Sequence, residues 1–376
     1  MKKKFAIIGG GIAGLTFANL IKKKTDHDFI LYEKEESFSI DEGYGIQLSP
    51  NSIKILNKIN FQKIDKDKIF YPTGLDFYDI KNEKICNLDL SQFNNGGNSY
   101  ITLQRSTLIE LLKSDIYNQH LRFGKRIKEV SEIKGKVLIK FDDNTNDLVD
   151  FVVGADGIFS NTKSFFEKKK NKPQFQKAIA IRKIIKSKLN LNINENRISL
   201  MMGSNCHIVI YPINKSKELN LVCIVRENKY NPEETKLSIN RVVNQNQNLK
   251  NIFEGELRSW PLYSSSKIFK PSNDKVFYIG DAFNGFLPTL AQGAVQSIES
   301  AYELFNLIQN ERGDMQNIYF QERSKRAKIV RRRSNFNFFI FHLSSKFMQM
   351  TRNLFMKFLI KRRRFINSYL GSVYKN

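Results

Sequence analysis

Three glycines, Gly9, Gly11 and Gly14, constrain this chain more than any other feature. They follow the apolar run Phe5 to Ile8, of buried-strand type, and open an apolar-periodic segment from Ile12 to Ile21. A second strand pattern, Asp28 to Tyr32, runs into Glu33. Strand, glycine turn, helix and strand in about 30 residues make a βαβ unit, which implies a parallel sheet. The first glycine of such a unit permits a tight turn, and the second lets backbone approach a pyrophosphate. The third allows helix to pack on strand, while the helix N-terminus faces the negative charge. Glu33, nineteen residues past Gly14, stands where a carboxylate suits a ribose diol and repels a 2′-phosphate. The unit therefore favours FAD or NAD over NADP.

No second G-x-G-x-x-G occurs, and the only other G-x-G, Gly43-Tyr44-Gly45, follows no clear strand. Two further strands end in acidic loops instead. Leu148 to Val153 runs into Gly154-Ala155-Asp156-Gly157, and Val276 to Ile279 runs into Gly280-Asp281, ahead of a helix from about Gln292 to Ile308. A carboxylate at the C-terminal end of a parallel strand lies where the ligands of such sheets bind, and can take the hydroxyls of a polyol. Between these strands, Cys206 to Tyr211 and Leu219 to Val225 alternate in polarity as antiparallel strands do. Asn190 to Asn196 and Asn244 to Asn251 read as loops or strand ends. The expected fold is α/β: a Rossmann-type dinucleotide-binding domain, an inserted antiparallel-sheet domain and a C-terminal helical segment. The expected division gives residues 1–172 and 262–322 to the first, 173–261 to the second and 323–376 to the third, with 73–97 joining the antiparallel sheet.

The ordered motifs resemble those of a known family, the single-component class A FAD-dependent flavoprotein monooxygenases of the salicylate hydroxylase and hydroxybenzoate hydroxylase type. The motifs are Gly9 to Gly14 with Glu33, Gly43 to Asn51, Arg105 in Leu103-Gln104-Arg105, Val153 to Ser160, and Gly280-Asp281-Ala282 continuing through Leu287-Pro288 to Ala291-Gln292-Gly293-Ala294. The resemblance implies FAD as cofactor, with NAD(P)H and O2 as co-substrates. It implies hydroxylation of a phenolic or aromatic-acid substrate through a flavin C4a-hydroperoxide. It assigns FAD contacts to Gly9, Gly11, Ile12, Ala13, Gly14, Glu33, Lys34, Gly45, Ile46, Arg105, Gly280 and Asp281, with Asp281 at the ribityl chain. Asp156 falls in the loop shared between FAD and NAD(P)H function. Pro288 and the helix start Gln292-Gly293-Ala294 would border the isoalloxazine, where a helix N-terminus stabilises the anion of reduced flavin. Two departures stand out. Asn284 occupies the usual His position of the Gly-Asp motif, and Lys163 replaces an Arg, keeping the charge and losing the planar fork.

For the substrate, His207-Ile208-Val209-Ile210-Tyr211-Pro212 reads as a strand with His207 and Tyr211 side by side on one face. Hydroxybenzoate-type members carry a similar His-x-x-x-Tyr-Pro strand, which makes His207 the candidate base for a phenol, with Tyr211 beside it. The other reading is that both merely line the sheet. Arg182 sits where relatives place an Arg on the first substrate-domain strand, and either attracts a substrate carboxylate or is a solvated charge. Trp260 and Tyr263 read as packing at the domain junction.

The net charge of +24 among 376 residues is unevenly spread. From Arg323 onward there are 15 basic residues and no acidic ones, which leaves 46 basic against 37 acidic before it. Phe336, Ile340, Leu343, Phe347, Met350, Leu354 and Phe358 form an apolar stripe at helical spacing, interrupted at Ser344-Ser345. A helical cap with solvated cations and an interfacial helix on anionic lipid are both open for this segment. Nucleic-acid binding has no recognised module behind it. Cys86, Cys206 and Cys223 lack C-x-x-C spacing and the four histidines are scattered, so reduced thiols and no metal site are expected. No run approaches the ~18 apolar residues of a membrane span. Lys2-Lys3-Lys4 with the following apolar stretch is not read as an export signal, because glycines break it. The expected place is cytoplasmic, with 323–376 as a peripheral contact on the inner membrane face. Two rival functions are a membrane-associated flavin oxygenase on an isoprenoid or quinone precursor, and a non-oxygenating FAD-binding protein that contacts membrane or RNA.

Overall fold

The computed structural model describes residues 2–38, 44–167, 172–186, 191–310 and 313–374; Gly43, Asn190 and the last two residues of the basic tail lie outside them. The chain opens with β1 (Lys4–Ile8), α1 (Ile12–Lys24) and β2 (Asp28–Tyr32). Phe5 to Ile8 are buried on both faces of β1, as a central parallel strand requires. Lys22, Lys23 and Lys24 occupy the last turn of α1, where the helix dipole favours cations. Next come β3 (Gly45–Leu48), β4 (Gly74–Asp79), β5 (Lys84–Asp89), β6 (Ile101–Gln104), α2 (Arg105–Ser114) and β7 (Leu121–Arg122). Residues 127–149 form a three-stranded antiparallel flap. Then follow β8 (Phe151–Gly154), α3 (Asn161–Glu167), β9 (Gln174–Ile185), β10 (Ile198–Gly203), β11 (Cys206–Ile213), β12 (Glu218–Arg226), β13 (Arg258–Ser264) and β14 (Val276–Tyr278). The chain ends in α4 (Gly293–Gln309), α5 (Met315–Phe341) and α6 (Lys346–Leu359), followed by short helical turns.

Two sheets organise the molecule. One is parallel and ordered β14-β8-β1-β2-β7, so the loops after β1, β8 and β14 emerge side by side at its C-terminal edge. The other has seven strands, β13-β9-β12-β11-β10-β4-β5, antiparallel except where β10 meets β4. The expected single strand from Leu148 to Val153 is two. Asp150 breaks it: its carboxylate accepts the Lys4 N–H at 2.8 Å while its own N–H donates to the Lys4 carbonyl at 2.9 Å. Leu148 thereby stays in the flap while Phe151 enters the parallel sheet.

The expected junctions at 261/262 and 322/323 both fall inside elements. β13 pairs with β9 on both sides of the first, from Arg182 opposite Arg258 to Phe175 opposite Tyr263. α5 runs through the second and carries Arg323 and Arg326 onto α4. Arg326 reaches the Glu299 carboxylate at 2.7 Å and Arg323 reaches Glu303 at 3.0 Å. Arg323 and Arg326 are buried and paired rather than solvated, while Lys325 between them is exposed. Burial would raise the Glu299 pKa, but Arg326 and Arg323 outweigh it and hold the carboxyl below its usual value. The apolar stripe is also corrected. Phe338 and Phe341, off the stripe, are buried at the end of α5, while Phe347, Met350 and Leu354 on it face outward in α6. The chain breaks helix at 342–345, and the break resets which face points to the core.

Candidate active site

At the C-terminal edge of the parallel sheet the geometry is set by glycines. Gly9 has φ +110°, and a Cβ there would lie 2.6 Å from the Ala155 carbonyl oxygen. A Cβ on Gly14 would lie 2.0 Å from the Gly9 carbonyl oxygen, so that turn and α1 touch backbone to backbone. Gly11 differs: a Cβ would meet nothing within 4 Å. It stands at the start of α1, whose first turn carries no acidic residue and no side-chain cap. Open space before uncapped N–H groups is a cradle for an anion. Ala13 is buried against Gly280, where an added Cβ would lie 2.8 Å from the Ala13 Cβ, and Ile12 packs on the core.

Around this cradle the expected contacts divide. Glu33 stands one residue past β2, where its carboxylate accepts the Gly10 N–H at 2.7 Å and the Glu35 N–H at 3.1 Å. Lys34 is exposed and lies 3.5 Å from Glu35. Asp156 caps α3, accepting from the Ser160 hydroxyl at 2.6 Å and from the Thr162 N–H and hydroxyl, each at 2.9 Å. Its donors are local and structural. Asp281 is the opposite case. Half-buried beside Gly280, it has no hydrogen-bond or ion-pair partner among the described residues, and burial pushes its carboxyl up to about 6. Donated hydrogen bonds from a polyol would supply what that carboxylate lacks.

Lys163 is buried with its ammonium 5.4 Å from the Tyr278 ring and 5.7 Å from that of Phe269, and burial lowers its pKa to about 8. It packs inside the domain rather than presenting a charge to a phosphate. Asn284 accepts a hydrogen bond from Arg331, which also donates to the Ser265 carbonyl at 3.0 Å. Pro288 begins a short turn ending in Ala291 at φ +53°, and Gln292 precedes α4. Buried Gln292 accepts from Gln296 at 3.0 Å, Ala294 is half-buried, and Gly293 is exposed with nothing within 4 Å of an added Cβ. A second uncapped helix N-terminus thus opens onto the same edge.

The seven-stranded sheet meets this edge through side chains. Gly45 donates its N–H to the Asn220 side chain at 2.7 Å, and an added Cβ would crowd both Asn220 and Tyr211, at 2.7 and 2.8 Å. Ile46 packs on the core, and Gln47 accepts from the Tyr100 hydroxyl at 2.8 Å. Arg105 begins α2, with its N–H on the Tyr44 carbonyl at 2.9 Å. On β9 the Arg182 guanidinium lies 5.7 Å from the Tyr44 ring and 5.8 Å from that of Trp260, and those rings meet edge to face at 5.1 Å. Arg182 lines a cleft of about 430 Å³ shared with Tyr44, Gln104, Glu218 and Arg258. Tyr263 packs on Phe159, so it and Trp260 both touch loops of the parallel-sheet unit.

His207 and Tyr211 share a face of β11 but are not side by side. Four residues of strand separate their backbones by about 13 Å. Tyr211 lies at the Gly45–Asn220 contact, its hydroxyl pKa raised by burial and partly offset by Arg182. His207 is buried under the end of α5. Its Nδ1 lies 3.0 Å from His342 Nε2, and His342 Nδ1 lies 2.6 Å from the Phe338 carbonyl oxygen. A carbonyl can only accept, so His342 Nδ1–H donates to it and its Nε2 accepts from His207 Nδ1–H. That leaves His207 Nε2 with a lone pair. Burial holds both imidazoles neutral: His207 lies well below its usual pKa, and His342 falls to about 4.

Sequence reasoning missed Asn220, Tyr44 and His342. Asn220 interrupts an otherwise apolar strand face, and His342 is one of only four histidines, but their partners come from far along the chain.

Known proteins agree with this architecture. A family model described as squalene epoxidase matches residues 149–361, more than half of the chain. One described as an NAD(P)-binding Rossmann-like domain matches residues 7–41. A 3-amino-4-hydroxybenzoate 2-monooxygenase of Streptomyces platensis is 26% identical over 362 residues, covering 91% of this chain and 89% of its own. A salicylate hydroxylase of Pseudomonas putida is 24% identical, covering 84% of this chain and 78% of its own. Among solved structures, a salicylate hydroxylase substrate complex superposes with TM-score 0.81 at 18% identity, over 100% of this chain and 97% of that one. Klebsiella pneumoniae HpxO complexed with FAD and uric acid gives TM-score 0.85 at 16% identity, covering 99% and 96%. The chain belongs to the class A FAD-dependent flavoprotein monooxygenases. It is an enzyme with FAD as cofactor and NAD(P)H as co-substrate. The residues present fit that cofactor, because Gly11, Gly293 and Asp281, which has no partner among the described residues, leave open the places a dinucleotide with a polyol chain would fill.

Proposed function

We propose that this enzyme hydroxylates a small aromatic ring carrying a phenol or an acid group, as the names of its relatives indicate for them. FAD, when bound, supplies the redox chemistry: electrons pass from NAD(P)H to O2, one oxygen atom goes to the ring and the other to water. The chain's own residues hold and polarise the reactants. The cradle at Gly9, Gly11 and Gly14 takes the pyrophosphate, Glu33 the ribose, and Asp281 the ribityl hydroxyls. Pro288 and Gln292-Gly293-Ala294 border the ring system. Arg182, set against Tyr44 and Trp260, attracts an anionic substrate toward the sheet.

The observation that carries the reading is the neutral His207 on β11, whose Nδ1–H is committed to His342 and whose Nε2 is left to accept. A phenol donating a hydrogen bond to that nitrogen gains ring electron density, which an electrophilic oxygen donor requires. His207→Ala should slow hydroxylation by roughly 10²-fold while FAD stays bound. Unchanged turnover would retire His207 from this role. The reaction itself is tested by a phenol panel scored for stimulated NAD(P)H oxidation, with peroxide measured to separate hydroxylation from uncoupling. If no phenol stimulates oxidation, the substrate class is wrong. The same reading keeps the enzyme in the cytoplasm, with the exposed part of 323–376 as a peripheral contact on the inner membrane face.

A further inference from the structure

Among the described residues, the outward face of α6 gathers more exposed large apolar side chains than any other element. Of the large apolar residues exposed among the described positions, Phe347, Met348, Met350, Leu354, Phe355 and Phe358 all belong to this one 14-residue helix. Phe347, Leu354 and Met350 are 77%, 67% and 66% exposed. At 3.6 residues per turn, Phe347, Met350, Leu354 and Phe358 fall within an arc of about 80°, and Met348 and Phe355 widen it to about 160°. Lys346 and Lys357 border the arc, while Arg352 and Met356 on the opposite side turn toward the body. The helix amphipathicity is therefore inverted: its broad apolar face looks away from the protein.

Charge says what covers that face. The exposed run Lys361-Arg362-Arg363-Arg364 follows α6, and the Arg362 guanidinium sits 4.5 Å over the Phe358 ring, at the C-terminal end of the apolar face. No acidic residue occurs from 323 to 376. An apolar stripe rimmed by cations matches the boundary of an anionic bilayer, with rings in the acyl region and cations among headgroups. No helix among the described residues is long and apolar enough to cross a membrane, so such a helix lies in the interface.

We infer that α6 is an interfacial anchor that seats Phe347, Leu354 and Phe358 in an anionic lipid surface. This rests on the membrane contact proposed above for 323–376 and assigns it to one helix face. The test is flotation of the full FAD-loaded chain with phosphatidylcholine vesicles made with and without phosphatidylglycerol. Wild type should float only with the anionic vesicles. The triple variant F347S/L354S/F358S should bind them at least about tenfold more weakly and melt as wild type does. A triple variant that floats like wild type overturns the anchor and leaves an electrostatic contact through the Arg and Lys clusters. Wild type that fails to float overturns both the anchor and the membrane contact. A dimer in sedimentation that the triple variant converts to monomer, without flotation, overturns the anchor and gives the face to a second copy. Should the triple variant not fold, Phe347→Trp carries the test: its added emission should shift to the blue with anionic vesicles, and no shift overturns the assignment.

Discussion

The two halves of the candidate site are built on opposite principles. At the C-terminal edge of the parallel sheet, backbone decides: Gly9, Gly11, Gly14 and Gly280 place chain where side chains would collide or obstruct. On the sheet face and its covering helices, side chains from distant segments decide. His207 finds His342, Asn220 finds Gly45, and Glu299 finds Arg326. A backbone site tolerates almost no substitution at a few positions, whereas a side-chain site distributes its tolerance over partners.

The sharpest way to break this contrast is Gly14→Val. Its Cβ would overlap the Gly9 carbonyl, so the protein should lose bound flavin altogether, read from the absorbance of purified protein. Flavin at wild-type stoichiometry would show that the turn can give. Glu299→Ala comes next, because it leaves Arg323 and Arg326 buried without their shared carboxylate. A loss of about 3–5 kcal/mol is expected in denaturant unfolding.

Gly11→Ala separates fold from ligand within the cradle. The added methyl meets no protein atom, so the melting temperature without cofactor should hold while FAD affinity falls by at least about tenfold, by titration. Asp281→Asn gives a smaller effect whose sign depends on pH. The folded carboxyl titrates at about 6, above its ordinary 3.8, so the flavin-free protein loses stability as pH rises between those values. The asparagine variant should therefore melt higher than wild type at pH ~7 and match it near pH ~4, although it binds FAD more weakly.

The gentlest probe is the histidine pair. Both imidazoles titrate below the unfolded value near 6.5, so their contribution is complete above it and is lost as pH falls toward about 4. His342→Phe should flatten part of that slope in melts taken across the range.

Much of the parallel-sheet unit was legible in the chain because its signals are local. A glycine turn needs no partner to be recognised, and Glu33, Asp156 and Asp281 follow their strands at once. Even so, position did not settle role: Asp156 spends both oxygens on the cap of α3, while Asp281 in the matching loop has no partner among the described residues. The strand alternation of Cys206 to Tyr211 was readable, but the distance between His207 and Tyr211 required only strand geometry and still separates them into two environments. The tail misled most. A helical stripe reports that one face is apolar and says nothing about which way it points.

Strand periodicity, glycine turns and motif order are properties of neighbours along the chain, so the dinucleotide unit, the antiparallel sheet and the family are written there. Folding in three dimensions is what makes Arg323 and Arg326 core residues, pairs His207 with His342, and turns the aromatic face of α6 outward. Those outcomes depend on contacts between segments far apart in the chain, 135 residues between His207 and His342 and more than 250 between α6 and β5. Burial and charge pairing there follow from what arrives opposite each side chain, which no local pattern encodes.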